Sequence, residues 1–165
     1  MNEHDQRESP PHESGFEELE KVLHELGEKG KGLQREDKKA LLASEAVLTG
    51  VRVVYRTRDD NKDHDTRLES WINMSGGREA AYASRYGEYD DWSEHVVDLT
   101  PKTNVMRKAD IRGSWLQIRV TPNGNDTWRF RCEVTLYFSD GSFHSKSFPE
   151  PTTLDQGSRQ ANKPL

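Results

Sequence analysis

Cysteine is nearly absent from the chain. Its 165 residues hold one, Cys132, so no internal disulfide can staple the fold. Long hydrophobic runs are missing as well. Apolar residues make up 32% of the sequence, against about 45–50% in ordinary globular domains, and mean hydropathy is −1.01. No window approaches the roughly 18 apolar residues of a membrane-spanning helix. No basic stretch leads into an apolar one as in a secretory signal, so the default expectation is the cytoplasm. The motifs of nucleophilic and nucleotide chemistry are also lacking: there is no Gly-x-Ser-x-Gly, no Walker loop, no Gly-x-Gly-x-x-Gly and no His-x-x-x-His. An excess of positive charge is absent too. The chain carries 24 basic and 29 acidic side chains. The whole net charge of −5 falls in residues 1–45, leaving the remainder neutral, so no global field favours nucleic acid. These absences exclude a helical membrane protein and a disulfide scaffold, and they give no support to an enzyme.

What is present divides into three stretches. Residues 1–14 contain Pro10-Pro11, mixed charge and no aliphatic side chain beyond Met1, and a segment that cannot bury a face is expected to be a disordered tail. Residues 15–47 read as a helical segment. Ser14 with Glu17 forms a capping box. Phe16, Leu19, Val22, Leu23 and Leu26 fall on one helical stripe. The Gly27–Gly32 region interrupts it, and Gln34 to Val47 resumes with strong helix formers.

From residue 48 the character changes to β-branched and aromatic. Val51 to Thr57, Thr66 to Ile72, Trp92 to Leu99, Trp115 to Val120 and Phe143 to Phe148 read as extended. Trp128 to Phe138 alternates over eleven residues: Trp128, Phe130, Cys132, Val134, Leu136 and Phe138 share one face. Such alternation requires that face to lie in a core. Asp140-Gly141 supplies a hairpin turn. Tyr82, Tyr86 and Tyr89 stand at helical spacing, and the residues after 150 are polar apart from Leu154 and Leu165, which places them on the surface. The expected fold is therefore mainly β: an antiparallel β-sandwich over residues 48–165, preceded by the helical segment and the tail.

The order Val53-Val-Tyr-Arg-Thr57, a polar loop, Asp65-Thr66-Arg-Leu68, then Gly113-Ser-Trp-Leu-Gln-Ile-Arg-Val120, Trp128 and Asp140-Gly141 resembles the layout of PLAT/LH2 domains. These are eight-stranded sandwiches similar in architecture to C2 domains. The resemblance spans about residues 48–150 and departs from the family where Asp65-Thr66 stands in place of a Gly-Thr pair. It implies a domain without catalysis of its own that binds lipid surfaces or protein partners, often with calcium.

The densest chemical constellation is Asp59, Asp60, Asn61, Asp63 and Asp65. Calcium takes six to eight oxygens from a flexible loop, and this one offers five oxygen-bearing side chains in seven residues. His64 stands where an EF-hand would need Gly, and Ser70 where it would need Glu, so the loop is not an EF-hand. A solvated, turn-forming loop is the competing reading, because Asp and Asn favour turns through their own backbone bonds. A second constellation is basic: Arg52, Arg56, Arg119, Arg129 and Arg131 lie on strands, and a shared sheet face could hold phosphate or sulfate. The competing reading is cross-strand pairing with Glu69 and Glu133.

The function expected from these residues is a non-catalytic binding module. It recognises a ligand, a lipid surface or a protein partner through loops at one end of the sandwich, with calcium as candidate cofactor. Two alternatives stay open: an assembly protein docking through the helices at 15–47, and a carbohydrate- or phosphate-binding module using an aromatic or basic sheet face.

Overall fold

The inward parity of Trp128–Phe138 organises the molecule. In the computed structural model these residues form the eleven-residue strand β6, and every inward side chain on it is buried. The structure describes residues 43–124 and 126–165, together with Asp37 and Ala40. The tail at 1–14 and the stripe Phe16–Leu26 lie outside the described residues.

The other strands are β1 (Leu48–Thr57), β2 (Arg67–Asn73), β3 (Glu79–Arg85), β4 (Glu94–Pro101), β5 (Trp115–Thr121), β7 (Phe143–Leu154) and β8 (Gln160–Pro164). All ladders are antiparallel, in the order β7-β6-β1-β4-β3-β2-β5-β8. The sheet is nearly closed on itself. It behaves as two four-stranded halves, because β3 and β4 are joined through only two residue pairs, Ala81 with Pro101 and Tyr82 with Thr100. The halves pack face to face: the Tyr55 hydroxyl on β1 meets the Ser70 hydroxyl on β2 at 2.6 Å, although these strands are not ladder neighbours. Val53, Tyr55, Phe130, Val134 and Leu136 from one half meet Leu68, Ile72, Leu116 and Ile118 from the other in one buried cluster. Trp128 stacks on Phe130 at 3.9 Å, touches Tyr55 at 5.3 Å and donates its indole N–H to Thr57. Removing one such ring from a packed core costs about 3–5 kcal/mol.

The mainly-β, antiparallel character and the inward set on β6 agree with the alternation in the sequence. Four local readings need correction. Val47 is not helical: it forms an isolated bridge with Arg107, and the flanking backbone bonds to Met106 and Lys108, so the chain is extended just before β1. Ala43 and Ser44 are helical. Tyr82 lies on β3, so the helical spacing of Tyr82, Tyr86 and Tyr89 reflects a strand followed by a loop. Trp92 precedes β4 rather than belonging to it. The C-terminal stretch lies at the surface as read, with two departures: Leu154 is 1% exposed, and Gln160–Pro164 is an edge strand against β5. Among the described residues no helix is long and apolar enough to cross a membrane.

Candidate functional site

Register brings four loops to one end of the molecule. Arg56 stands opposite Glu94 and Arg131, Leu68 opposite Arg85, Arg67 opposite Thr121 and Trp128 opposite Leu154. The connections 58–66, 86–93, 122–127 and 155–159 therefore emerge together. These loops carry nine carboxylates against the three cations Arg58, Lys62 and Arg159.

At their centre is Lys62. Its residue is wholly buried, an unusual place for an ammonium group unless it is fully partnered. The partners are backbone. Lys62 Nζ donates to the carbonyls of Asp63 (3.0 Å), Thr66 (2.7 Å) and Gly87. Its main chain pairs reciprocally with Tyr89 at 3.2 and 2.9 Å, and the ammonium lies 4.8 Å from the centre of the Tyr89 ring. Tyr89 in turn stacks on His95 at 3.9 Å and meets Trp128 edge-on. One cation thus ties the β1–β2 loop to the β3–β4 loop. Burial draws its pKa below the ordinary 10.5, while Asp126, Asp63 and Asp65 pull it back. Burial also lowers the pKa of His95 and raises that of the Tyr89 phenol.

The five residues expected to gather calcium are not brought together. Asp59 is held by the Arg129 guanidinium at 3.0–3.1 Å. Asp60 contributes its carbonyl to the Arg129 N–H, and its side chain is exposed. Asn61 is partly exposed. Asp63 is exposed, and its backbone N–H points to Asp126 Oδ2 at 3.3 Å. Asp65 accepts from the Asn123 amide at 2.8 Å. Among the described residues no three Asp, Glu, His or Cys side chains converge as a metal would require. The cradle of carbonyls at this end is filled by the chain's own ammonium, and the five side chains are spread among separate partners. The physical reason is Lys62, whose side chain turns inward where a loop reading leaves it in solvent.

The same end displays aromatic rings. Trp92 is 66% exposed and Tyr86 64% exposed. Ser93 N–H closes a turn onto the Asp90 carbonyl at 3.1 Å, which puts Trp92 at the third position with φ +62°. For a bulky L-residue that region costs about 1–2 kcal/mol. The conformation is pinned: Trp92 N–H donates to the Arg58 carbonyl at 3.0 Å, and the Arg58 guanidinium lies 4.5 Å from the ring centre. The strain keeps an indole in solvent.

The expected basic face is divided. Arg52 pairs with Asp98 at 2.8 Å, and Arg56 pairs with Glu94 at 2.8 Å and Glu133 at 3.6 Å. Arg119 belongs to the other half of the sheet, where the buried Glu69 carboxylate accepts from it at 2.7 Å, from the Tyr82 hydroxyl at 3.0 Å, and lies 3.3 Å from Arg67. The cross-strand pairing with Glu69 and Glu133 read from the sequence accounts for Arg119 and Arg56; Arg52 pairs with Asp98 and Arg129 with Asp59 in the loop, and Arg131 is left over among the described residues.

No protein-family model matches the chain, and no curated protein matches it either. Among solved structures, the chain is similar to "Alpha Toxin from Clostridium Absonum", at 18% identity and a TM-score of 0.45, over 68% of this chain and 32% of that one. It thus spans about a third of that protein's length.

Proposed function

We propose that this domain is a non-catalytic binding module whose four-loop end meets a lipid surface, with Trp92 and Tyr86 entering the interface. The observation that carries the reading is Trp92. A strained backbone position holding a large ring in water is expensive for folding alone and useful for contact. Indole and phenol rings suit a membrane interface, with an apolar body and a polar edge. Lys62 supports the same reading from beneath, because it fixes the loop that presents the ring without a bound ion. The excess of carboxylates on this end repels anionic headgroups, so the surface in this proposal is zwitterionic. Calcium would act only as a bridge to an anionic surface.

Vesicle co-sedimentation tests it. The chain should pellet with phosphatidylcholine vesicles, and Trp92→Gly should abolish pelleting while leaving the fold intact. On phosphatidylserine vesicles, binding should require calcium. A wild-type chain that pellets with neither, with or without calcium, overturns the lipid reading and leaves a basic protein partner as the complement to the acidic loops.

A further inference from the structure

Among the described residues, Arg131 is the one strand arginine of its half of the sheet without a carboxylate partner. It stands directly opposite Arg56 across the β1–β6 ladder, and like charges in that position oppose the pairing. Arg56 is compensated by Glu94 and Glu133. Arg131 has no carboxylate within ion-pair distance among the described residues, and its Nε is buried without a hydrogen-bond partner. The ladder between β6 and β7 breaks beside it, with a register shift between Phe130 and Cys132. Opposite that shift, β7 carries Pro149 and Pro151, which have no N–H to offer the ladder. The result is a pocket of about 210 Å³ lined by Arg56, Arg131, Cys132, Ser147, Phe148 and Pro149. Two ammonium groups stand near its wall: Lys146 Nζ and Lys163 Nζ lie 5.8 and 5.9 Å from the centre of the Phe148 ring, and neither has an ion-pair partner among the described residues. Two of the neighbouring acids are already engaged. Glu133 takes Arg56 and the Ser145 hydroxyl, and Glu94 takes Arg56; Glu150, on β7, is exposed.

We propose that this pocket, on the sheet face just below the loop end, binds a phosphoryl group. A guanidinium with no carboxylate partner offers N–H donors that a tetrahedral oxyanion accepts. Ser147 adds a hydroxyl at the wall, and the two lysines add positive charge that favours a dianion over a monoanion. The ligand is a phosphomonoester, either free in solution or at a lipid headgroup.

The test uses the full chain. In calorimetric titrations at constant ionic strength, glycerol 3-phosphate should bind, with chloride as the control. Arg131→Gln should weaken binding at least tenfold, and Arg52→Gln, on the same half but paired with Asp98, should leave it unchanged. Vesicles with and without phosphatidic acid form the second arm. Binding to glycerol 3-phosphate assigns a soluble ligand; binding confined to phosphatidic acid vesicles and lost in Arg131→Gln assigns a headgroup. Should Arg131→Gln fail to fold, the Arg131 Nε–H resonance of the wild-type chain replaces it and must shift on phosphate addition. No binding in either arm, or retention by folded Arg131→Gln, or an unmoved Nε–H resonance, overturns the proposal. Because the lipid reading of the loop end is tested with Trp92→Gly on vesicles free of phosphatidic acid, the two proposals fail separately.

Discussion

Replacing Lys62 with Met keeps the length of the side chain and removes its ammonium group. The carbonyls of Asp63, Thr66 and Gly87 then lose their donor. A buried acceptor left without a partner costs about 1–3 kcal/mol. Against this, Met avoids the desolvation of a charge, a penalty of several kcal/mol per buried ion. Three acceptors lose their donor together, and the relief of desolvation offsets part of that cost. We take about 3 kcal/mol, since solvent can reach the exposed Asp63 when the loop loosens. At roughly 3–4 °C per kcal/mol for a body of this size, Tm should fall by about 10 °C. The assay is thermal and urea unfolding followed by tryptophan emission, with hydrogen exchange at the Gly87 and Tyr89 amides as a local probe; both amides bond into the β1–β2 loop. In the wild type, 10 mM calcium should leave Tm unchanged, whereas a site with a Kd near 1 mM would add about 1.4 kcal/mol. A fall below about 3 °C in Lys62→Met, or a calcium-dependent rise in the wild type, refutes the view that this lysine organises the loops.

Trp92→Gly should leave stability within about 1 kcal/mol of wild type in urea unfolding, because relief of a positive-φ penalty of about 1–2 kcal/mol is offset by a lost cation–π contact of about 0.5–1 kcal/mol and by glycine's extra freedom in the unfolded chain. Glu69→Ala should cost about 1–3 kcal/mol in the same assay, because it removes the acceptor of the Tyr82 hydroxyl and of the partly exposed Arg119 and Arg67 guanidiniums; no measurable loss would show that the network is solvated. Burial pushes the Cys132 thiol up to about 12 from 9.0, so it should resist a disulfide reagent at pH 8 and react once urea unfolds the chain. With the folded pKa raised, its contribution to stability is complete below pH 9 and is lost as pH climbs toward 12. Asp98 is held below its ordinary value by its hydrogen bond from Arg52; Arg52→Gln should raise the Asp98 pKa in an NMR titration, and the small stability this carboxylate adds above its pKa should disappear as pH falls through it.

The alternating run at Trp128–Phe138 was legible because period-2 burial is a local property: once one face is apolar, every second residue must turn to the core whatever its neighbours are. The same logic placed Cys132 and Trp128 inside and made the chain a mainly-β protein. β3 was harder to see, since its core face is built from Ala81 and Ala83, small residues with little strand preference of their own. β8 has no β-branched residue at all; it is a strand because the edge of β5 offers unpaired backbone groups. The loop end depended wholly on tertiary structure. Asp59, Asp60, Asn61, Asp63 and Asp65 are neighbours in sequence, but their partners Arg129, Asn123 and Asp126 come from elsewhere in the chain, and those contacts draw the carboxylates apart. Lys62 lies in a polar run where composition suggests only solvent, and its burial follows from the approach of the 86–93 loop, whose Gly87 carbonyl and Tyr89 ring complete its surroundings. The arginines are outward by parity, which the sequence by itself determined. Which of them finds a carboxylate and which is left bare was decided by strand order, because a charge's partner is whatever strand the fold sets beside it.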